Sequence, residues 1–176
     1  MNLNNYLESE RLILRKLTGE DFTPLFNILS DEETVKYFVD RPFTEEKIKE
    51  MVNKVPQEHY AIVLKEEKIM IGYLDFHPWF MRDTYDIGWT IDKSYRNLGI
   101  VTEAAALLMK YAFEVLGAHR LVATCQPENT PSNKICEKLK MRLEGTFKKC
   151  IYNPIEDCWL DENLYAILKE EYENEN

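Results

Sequence analysis

The sequence lacks the closely spaced glycines of the common nucleotide-binding loops. Its six glycines include no pair closer than Gly88 and Gly99, which are 11 residues apart, so neither GxGxxG nor a Walker loop is present. None of its serines lies in a GxSxG motif either. These absences exclude Rossmann dehydrogenases and P-loop kinases, and they argue against an α/β-hydrolase.

Long apolar runs and an excess of basic residues are also missing. No run approaches the roughly 18 residues of a membrane span, and residues 1–8 have no basic start followed by an apolar stretch. Lys and Arg number 22 against 31 Asp and Glu, a formal net charge of −9, which repels nucleic-acid phosphates and anionic lipids. We expect a soluble, cytoplasmic protein that binds neither nucleic acid nor membrane.

The cysteines and histidines are too scattered for a metal centre or a disulfide framework. The three histidines are far apart and form no HExxH motif. The cysteines are separated by 11, 14 and 8 residues, which matches no paired zinc-ligand motif. We therefore expect free thiols and no metal at Cys125, Cys136, Cys150 and Cys158.

What the chain does contain is the pattern of one α/β domain. Its 176 residues suit a single core, and no linker or repeat divides them. Strand-like and helix-like periodicities alternate along the chain and predict a mixed sheet with helices on its faces. The domain is expected over residues 1–176, with its core at 9–168 and a frayed acidic tail at 169–176. The predicted strands are 11–17, 59–64, 69–76, 85–91, 120–125, 143–151 and 163–168, and the predicted helices are 22–30, 45–52, 102–116 and 132–139.

Two of these elements have the clearest patterns. The strand at 85–91 alternates strictly, with Tyr85, Ile87, Trp89 and Ile91 on one face. The helix at 102–116 is expected to bury Ala104, Leu108, Tyr111 and Val115 and to end at Gly117.

The segment that joins this strand to this helix is a candidate anion site. A helix N-terminus leaves about four backbone N–H groups unpaired and can hold a phosphate. Gly99 can adopt positive φ and allow close approach, and Arg96 can add a charged donor. The alternative is an ordinary helix entry with a loop glycine and a solvated arginine. Gly88, inside the strand, indicates either a bulge or a close approach of another chain or ligand, and a bulge would splay this strand from the one at 120–125.

These residues together resemble the GNAT superfamily of acetyl-coenzyme-A-dependent N-acetyltransferases, in particular the RimJ/RimL type that acetylates ribosomal-protein N-termini. The resemblance runs from about Ser9 to Leu168 and depends on the order of several short segments. It implies a GNAT-like acyl-CoA N-acyltransferase fold, with a mostly antiparallel sheet that contains one splayed parallel pair. The segments are ERLILR at 10–15, IGYL at 71–74, DIGW at 86–89, YRNLGIVTEA at 95–104 and PENTPSN at 127–133.

The resemblance also implies a cofactor site for acetyl-CoA. Residues 96–101 match the loop whose amides hold the coenzyme A pyrophosphate, and residues 89–91 match the strand that pairs with the pantetheine arm. In the family the acceptor amine attacks the thioester directly, in a ternary complex without an acyl-enzyme. The cofactor-binding residues implied are Trp89, Thr90, Ile91, Arg96, Asn97, Leu98, Gly99, Ile100, Val101, Thr102, Asn129 and Ser132.

Acetyl transfer requires a base for the protonated amine, a donor for the oxyanion and a proton for the thiolate. Backbone near Trp89 can supply the donor. Ser132 matches the hydroxyl that lies near the thiol, although it also suits a helix N-cap. Asp86 is a candidate base or substrate contact, or else a solvated strand residue. The other candidates for the base are a chain of waters and three acids near the expected loops, Glu128, Glu156 and Asp161.

Some positions depart from the family pattern. Val101 replaces a usual Gly or Ala and would crowd the phosphate pocket unless its side chain turns into the core. Leu98 stands where a polar or basic residue is common. Lys140 and Met141 replace a Gly-Phe pair, so a left-handed helix terminus there would cost about 1 kcal/mol more.

The acceptor is expected to be cationic. Tyr37, Phe38, Trp79 and Phe80 are candidates to line an acceptor cleft of this acidic protein. Such a cleft suits a small cationic amine or a peptide N-terminus. A non-catalytic acyl-CoA-binding or regulatory module and a plain interaction domain are the competing hypotheses. An exposed strand near the C-terminus is a candidate for pairing with a second copy in a homodimer.

Overall fold

The fold is built on one mixed sheet, and the computed structural model describes residues 6–175 of the chain. The strands are β1 (Tyr6–Glu8), β2 (Leu12–Lys16), β3 (His59–Leu64), β4 (Met70–Pro78), β5 (Thr84–Ile91), β6 (Arg120–Cys125), β7 (Arg142–Asn153) and β8 (Cys158–Leu168). Across the sheet they run β1-β2-β3-β4-β5-β6-β8-β7. Only β5 and β6 pair in parallel among the described strands, which confirms the predicted fold class.

Helices cover both faces of this sheet. They are α1 (Phe22–Leu29), α2 (Glu45–Asn53), α3 (Ile100–Glu114), α4 (Thr130–Lys138) and α5 (Lys169–Glu175). Single 3₁₀ turns at Gly19–Asp21 and Lys93–Tyr95 precede α1 and α3. No helix within residues 6–175 has both the length and the apolar character needed to cross a bilayer.

The sheet divides the interior into two cores. Along β3, Tyr60 and Ile62 face the core that α3 and α4 cover, whereas Ala61 and Val63 face the core under α1 and α2. A strand buried on both faces appears in sequence as a continuous apolar run, as residues 60–64 do. The two sides of the sheet therefore present separate surfaces at the point where its strands part.

That point lies between the two parallel strands. β5 pairs with β6 only from Thr84 to Asp86, and the strands diverge beyond it. The expected splay is present, but the expected bulge at Gly88 is wrong, because β4 and β5 keep one register through the pair of Asp75 and Gly88. The glycine has another reason: a Cβ there would lie 3.4 Å from both Cβ and Oδ2 of Asp75.

The end of α3 differs from the sequence expectation. The helix ends at Glu114, so Val115 falls outside its buried stripe and is 69% exposed. Gly117 has φ +70°, consistent with its predicted role in ending the helix. The helix begins at Ile100, two residues before the predicted start.

Both ends of the chain contain more structure than expected. The strand predicted at 11–17 is not the first, because β1 pairs with it in antiparallel register. The tail predicted to be frayed forms α5, where the ring of Tyr172 stacks on Phe113 with centroids 5.0 Å apart. Asn176 and residues 1–5 lie outside the described residues.

Candidate active site

A cavity passes through the sheet where β5 and β6 diverge. Trp89, Cys125 and Ser132 line it from the α3 and α4 side. Phe38 lines it from the α1 and α2 side, where it packs on the second core. A ligand that entered from one face would therefore meet a ligand that entered from the other. The remaining lining residues are Tyr37, Asp75, Ile87, Gly88, Thr124, Gln126, Asn129 and Glu162.

The segment between β5 and α3 continues from the strand whose residues Ile87 to Trp89 line this cavity. Gly99 is the residue before α3 and has φ +75°, a conformation that other residues adopt only with strain. A Cβ there would meet only Arg11 Nη2, at 3.9 Å, so backbone conformation and not space requires the glycine. The side chains of Ile100 and Val101 are 3% and 8% exposed. Val101 thus turns into the core and does not crowd the helix N-terminus.

Arg11 holds this segment in place. Its Nε and Nη2 donate to Glu103 Oε2 at 2.8 and 2.6 Å, and its Nη1 donates to the carbonyl of Leu98 at 3.3 Å. Ser9 Oγ donates to the other oxygen of Glu103 at 2.6 Å. The ERLILR segment therefore has a structural role: it anchors the loop that precedes α3.

Arg96 does not point freely into solvent. Its Nη1 donates to Glu33 Oε1 at 2.5 Å and its Nη2 to Thr34 Oγ1 at 2.8 Å. Lys93 Nζ donates to Asp31 Oδ2 at 2.5 Å. The segment that joins α1 to α2 is thus tied to the loop before α3. Asn97, with φ +62°, and Leu98, 56% exposed, lie on the outer side of that loop.

The strand edge beside the cavity is available for pairing. Trp89, Thr90 and Ile91 follow the last residue of β5 that pairs with β6, so within the described residues that edge has no neighbouring strand. Trp89 and Ile91 pack against the α3 core, and Thr90 is buried. An extended ligand can take the place of the missing strand there.

Ser132 is a hydrogen-bond donor aimed at the cavity, and it is not the cap of α4. That cap is Asn129, whose Oδ1 accepts from the backbone N–H of Ser132 at 3.3 Å, so the N-cap expected at Ser132 is wrong. Trp89 Nε1 donates to Ser132 Oγ at 3.2 Å. Because the hydroxyl oxygen accepts this bond, its own proton is left to be donated.

Thr102 lies in the first turn of α3 and is partly buried.

Three carboxylates gather on the opposite side of the gap. Burial, then the charges of Asp75 and Glu162, raise the pKa of Asp86 from 3.8 to about 7. Burial also raises the pKa of Glu162. Asp75 and Glu162 line the cavity, whereas Asp86 lies in the strand wall behind it. Asp86 is therefore not the solvated strand residue of the alternative interpretation.

The other sequence candidates divide between site and surface. Tyr37 and Phe38 line the cavity as expected, and Tyr37 OH donates to the carbonyl of Glu128 at 3.1 Å. Trp79 and Phe80 do not line the cavity. Their ring centroids are 5.4 Å apart, and Phe80 is 83% exposed. Glu156 and Asp161 do not belong to the cavity lining. Glu156 pairs with Arg41, and Asp161 pairs with Lys148.

Sequence reasoning missed Asp75 and Glu162. Asp75 interrupts the apolar run at 71–76, a signal that an acid is buried for a purpose. Glu162 had no comparable signal, because its neighbours on β8 are polar. Lys140, which stands where the family has a glycine, adopts the left-handed conformation with φ +60° after α4. Met141, which follows it, is buried.

The architecture and its gap agree with comparisons to known proteins. Residues 11–142 match the acetyltransferase (GNAT) domain family. This chain belongs to the GNAT acetyltransferase family. It is 39% identical over 170 residues to YnaD of Bacillus subtilis (strain 168), described as an uncharacterized N-acetyltransferase, and the match covers 95% of this chain and 99% of YnaD.

Two further comparisons, one with a solved structure and one with a relative named for its substrate, describe the similarity of this GNAT acetyltransferase in more detail. A crystal structure of a GNAT-family acetyltransferase from Bacillus anthracis superposes with a TM-score of 0.90 at 41% identity, covering 94% of this chain and 99% of that one. The ribosomal-protein-serine acetyltransferase of Escherichia coli (strain K12) is 26% identical over 171 residues, or 90% of this chain and 93% of the relative. The resemblance to ribosomal-protein acetyltransferases is confirmed.

Proposed function

We propose that this GNAT acetyltransferase moves the acetyl group of acetyl-CoA directly to a primary amine in a ternary complex. The observation that carries the proposal is the gap between β5 and β6, which is lined by Asn129 and Ser132 at the start of α4 on one face and by the acids Asp75 and Glu162 on the other. Two substrates can meet there without a covalent enzyme intermediate.

The α3 side fits acetyl-CoA. Backbone amides at the start of α3, after a left-handed Gly99, are suited to a pyrophosphate. The free edge at residues 89–91 is suited to an amide-containing arm such as pantetheine. Arg96 can turn from Glu33 to a phosphate, which is also an anion. Asn129 and Ser132 complete the site at the start of α4.

The chemistry divides between the two faces. The arriving amine is an ammonium and must lose a proton before its nitrogen attacks the thioester carbonyl. Asp86, with its raised pKa, takes that proton directly or through water. Backbone N–H near Trp89 stabilises the oxyanion. When the carbon–sulfur bond breaks, Ser132 donates its proton to the thiolate, and the nitrogen of the new amide gives up its second proton, which returns to Ser132 directly or through water.

The acceptor we propose is cationic: a peptide or protein N-terminus, or a small polyamine-like amine. Two acids and the rings of Tyr37 and Phe38 line its side of the cavity. Carboxylates pair with an ammonium, and aromatic faces attract cations. The E. coli relative is named as an acetyltransferase of a ribosomal-protein serine, which supports the peptide choice.

A thiol-release assay tests this function. Acetyl-CoA is supplied with peptides that begin with serine or alanine, with a polyamine and with glutamate. We expect coenzyme A to be released with the peptides or the polyamine and not with glutamate. Binding of acetyl-CoA without release of coenzyme A in the presence of any amine would instead support the non-catalytic module.

We also propose that β7 pairs with a second copy of the chain. β7 forms one edge of the sheet and exposes Leu143 and Phe147, which are 52% and 47% accessible. An exposed edge strand with apolar side chains is a template for pairing. Light scattering is expected to give a dimer for the wild type and a monomer for Phe147→Lys, and a monomeric wild type would contradict the pairing.

A further inference from the structure

A buried histidine lies behind the acidic wall of the cavity. His59 on β3 is directly opposite Asp75 on β4, and Asp75 is opposite Gly88 on β5. Directly opposite residues project from the same face of a sheet. Because Gly88 has no side chain, Asp75 can extend over β5, with Oδ2 3.4 Å from where a Cβ of residue 88 would be. The row ends in the cavity, which Asp75 and Gly88 both line.

The orientation of Gln57 defines one side of the histidine ring. Gln57 Nε2 donates to the carbonyls of Met51 at 3.0 Å and Val52 at 3.4 Å, so its Oε1 points toward His59. That oxygen accepts the backbone N–H of His59 at 3.0 Å and lies 2.9 Å from Nδ1. An amide oxygen has no proton to give, so Nδ1 must carry one.

The other ring nitrogen faces a carboxylate. His59 Nε2 lies 2.9 Å from Asp75 Oδ1. His59 is only 8% exposed, so these contacts replace water as the partners of its ring. The two ring nitrogens therefore face two fixed oxygens, Gln57 Oε1 on one side and Asp75 Oδ1 on the other.

We propose that Asp75 binds the ammonium group of the acceptor through Oδ2 and that His59, oriented by Gln57, is the positioning residue that holds Asp75 in place. This rests on the proposed function, because it assigns residues within its acceptor side. The acids then have separate roles. Asp75 is held by the ring of His59 and serves recognition, whereas Asp86 has no such side-chain partner in the described contacts and serves proton transfer.

Other charged groups surround this row. Glu58 precedes His59 and pairs with Lys54, and His77 is opposite Asp86 in the sheet. Glu162 lines the cavity together with Asp75. Because His59 holds Asp75 for binding and not for proton transfer, we expect His59→Gln to raise the KM of the acceptor with little change in kcat, a split that loss of a purely structural residue would not produce.

Nitrogen-detected NMR of the imidazole rings tests the role of His59 without any acceptor. The His59 signals are assigned by their loss in His59→Gln. We expect the Nε2 signal of His59 to report its contact with Asp75 and to move in Asp75→Asn, while the Nδ1 contact with Gln57 is kept in both proteins. An Nε2 signal that is the same in wild type and Asp75→Asn would overturn the proposal.

The same signals report binding of a simple ammonium. The probe is n-propylammonium, with n-propanol as its uncharged control. Asp75→Asn is expected to weaken n-propylammonium binding at least about tenfold, the order of one charge-assisted hydrogen bond. Asp83→Asn, which changes an exposed acid outside the cavity lining, should leave it unchanged. Equal binding by wild type and Asp75→Asn, or no binding by the wild type, would overturn the proposal.

Calorimetry with acetyl-CoA separates this inference from the proposed function. Wild type and Asp75→Asn are both expected to bind acetyl-CoA with the same affinity, because Asp75 lies on the acceptor side. Failure of both to bind acetyl-CoA would contradict the proposed function. Normal acetyl-CoA binding together with an unaltered ammonium site in Asp75→Asn would contradict the role of Asp75 alone.

Discussion

Asp86 binds its proton more tightly in the folded chain than in the unfolded one. Burial, Asp75 and Glu162 raise its pKa from 3.8 to about 7. Between these values the unfolded chain releases a proton that the folded chain keeps, so this group lowers the free energy of unfolding as pH rises from about 4 to 7. We therefore expect Asp86→Asn to change the free energy of unfolding more favourably above about pH 7 than near pH 4. The difference between the two pH values is expected to be on the order of 2 kcal/mol.

Urea titrations of the wild type and Asp86→Asn at the two pH values measure this difference. Carboxylates outside this cluster contribute equally to both proteins, so the difference reports Asp86 together with its coupling to Asp75 and Glu162. Parallel pH dependences would show that Asp86 titrates normally in the fold.

The same residue sets an expectation for activity. A base accepts a proton only when ionised, so kcat/KM should rise with pH and level off above about 7, where Asp86 is ionised. In Asp86→Asn we expect kcat/KM to fall by about 10²-fold or more and the rise to disappear. Glu162→Gln is the matched control for a cavity acid with a raised pKa. If Glu162→Gln and not Asp86→Asn removed the rise, the base would be Glu162.

Ser132 is expected to act on the leaving group and not on cofactor affinity. Its oxygen accepts from Trp89, so its proton is available for the thiolate. We expect Ser132→Ala to lower kcat about 10²-fold with little change in the Kd of acetyl-CoA. Ser30→Ala removes an exposed hydroxyl that donates to the carbonyl of Phe26, and it should be silent. An equal kcat for Ser132→Ala and wild type would remove Ser132 from the mechanism.

At the scale of single residues, the sequence predicts which residue types occupy the candidate site better than it predicts the surroundings of each side chain. Ser132, Asn129 and the glycines were identified from motifs, because their roles depend on local backbone. The environment of Asp86 depends on Asp75 and Glu162, which are 11 and 76 positions away along the chain. Their convergence at one gap follows from strand order, which no local pattern contains.

At the scale of elements, the start of α4 offers a direct test. Asn129 caps this helix through its side chain, and Pro131 follows in the first turn. We expect Asn129→Ala to lower the free energy of unfolding by about 1 kcal/mol and Asn129→Ser to restore most of it. Urea titration measures both. Because Ser132 is placed by this cap, Asn129→Ala should also lower kcat, and an unchanged stability would mean that the cap does not hold α4.

The central elements could be predicted because their periodicities are strong and local. The strands β3, β5 and β6 and the helix α2 begin and end within two residues of their expected bounds. The elements at the margins depend on partners elsewhere. β1 exists because β2 offers it an edge, and α5 because Tyr172 finds Phe113. The bulge considered at Gly88 is absent because β4 and β5 keep one register there, and the close neighbour of this glycine is Asp75 on β4.

At the scale of the whole molecule, the sheet separates the two sides on which we propose that the substrates bind. The α3 face holds the helix N-terminus and Ser132, and the other face holds the acids and Phe38. Residues 31–38 connect them: Asp31 and Glu33 pair with the loop before α3, and the carbonyl of Tyr37 accepts from Gln126 at 3.0 Å. We therefore expect binding of the proposed cofactor at the loop before α3 to affect the position of residues 31–38, which include the lining residues Tyr37 and Phe38.

The central claim is that acetyl-CoA binds at the start of α3, and calorimetric titration of two glycine variants tests it most directly. Gly99→Glu places a charged side chain at the N-terminus of α3, whereas Gly117→Glu imposes a similar left-handed strain, φ +70° against +75°, just past the other end of that helix. We expect wild type and Gly117→Glu to bind acetyl-CoA and Gly99→Glu to lose at least about tenfold in affinity, since the helix N-terminus favours phosphate and a carboxylate repels it. Equal affinities in all three folded proteins, or no binding by the wild type, would contradict the account.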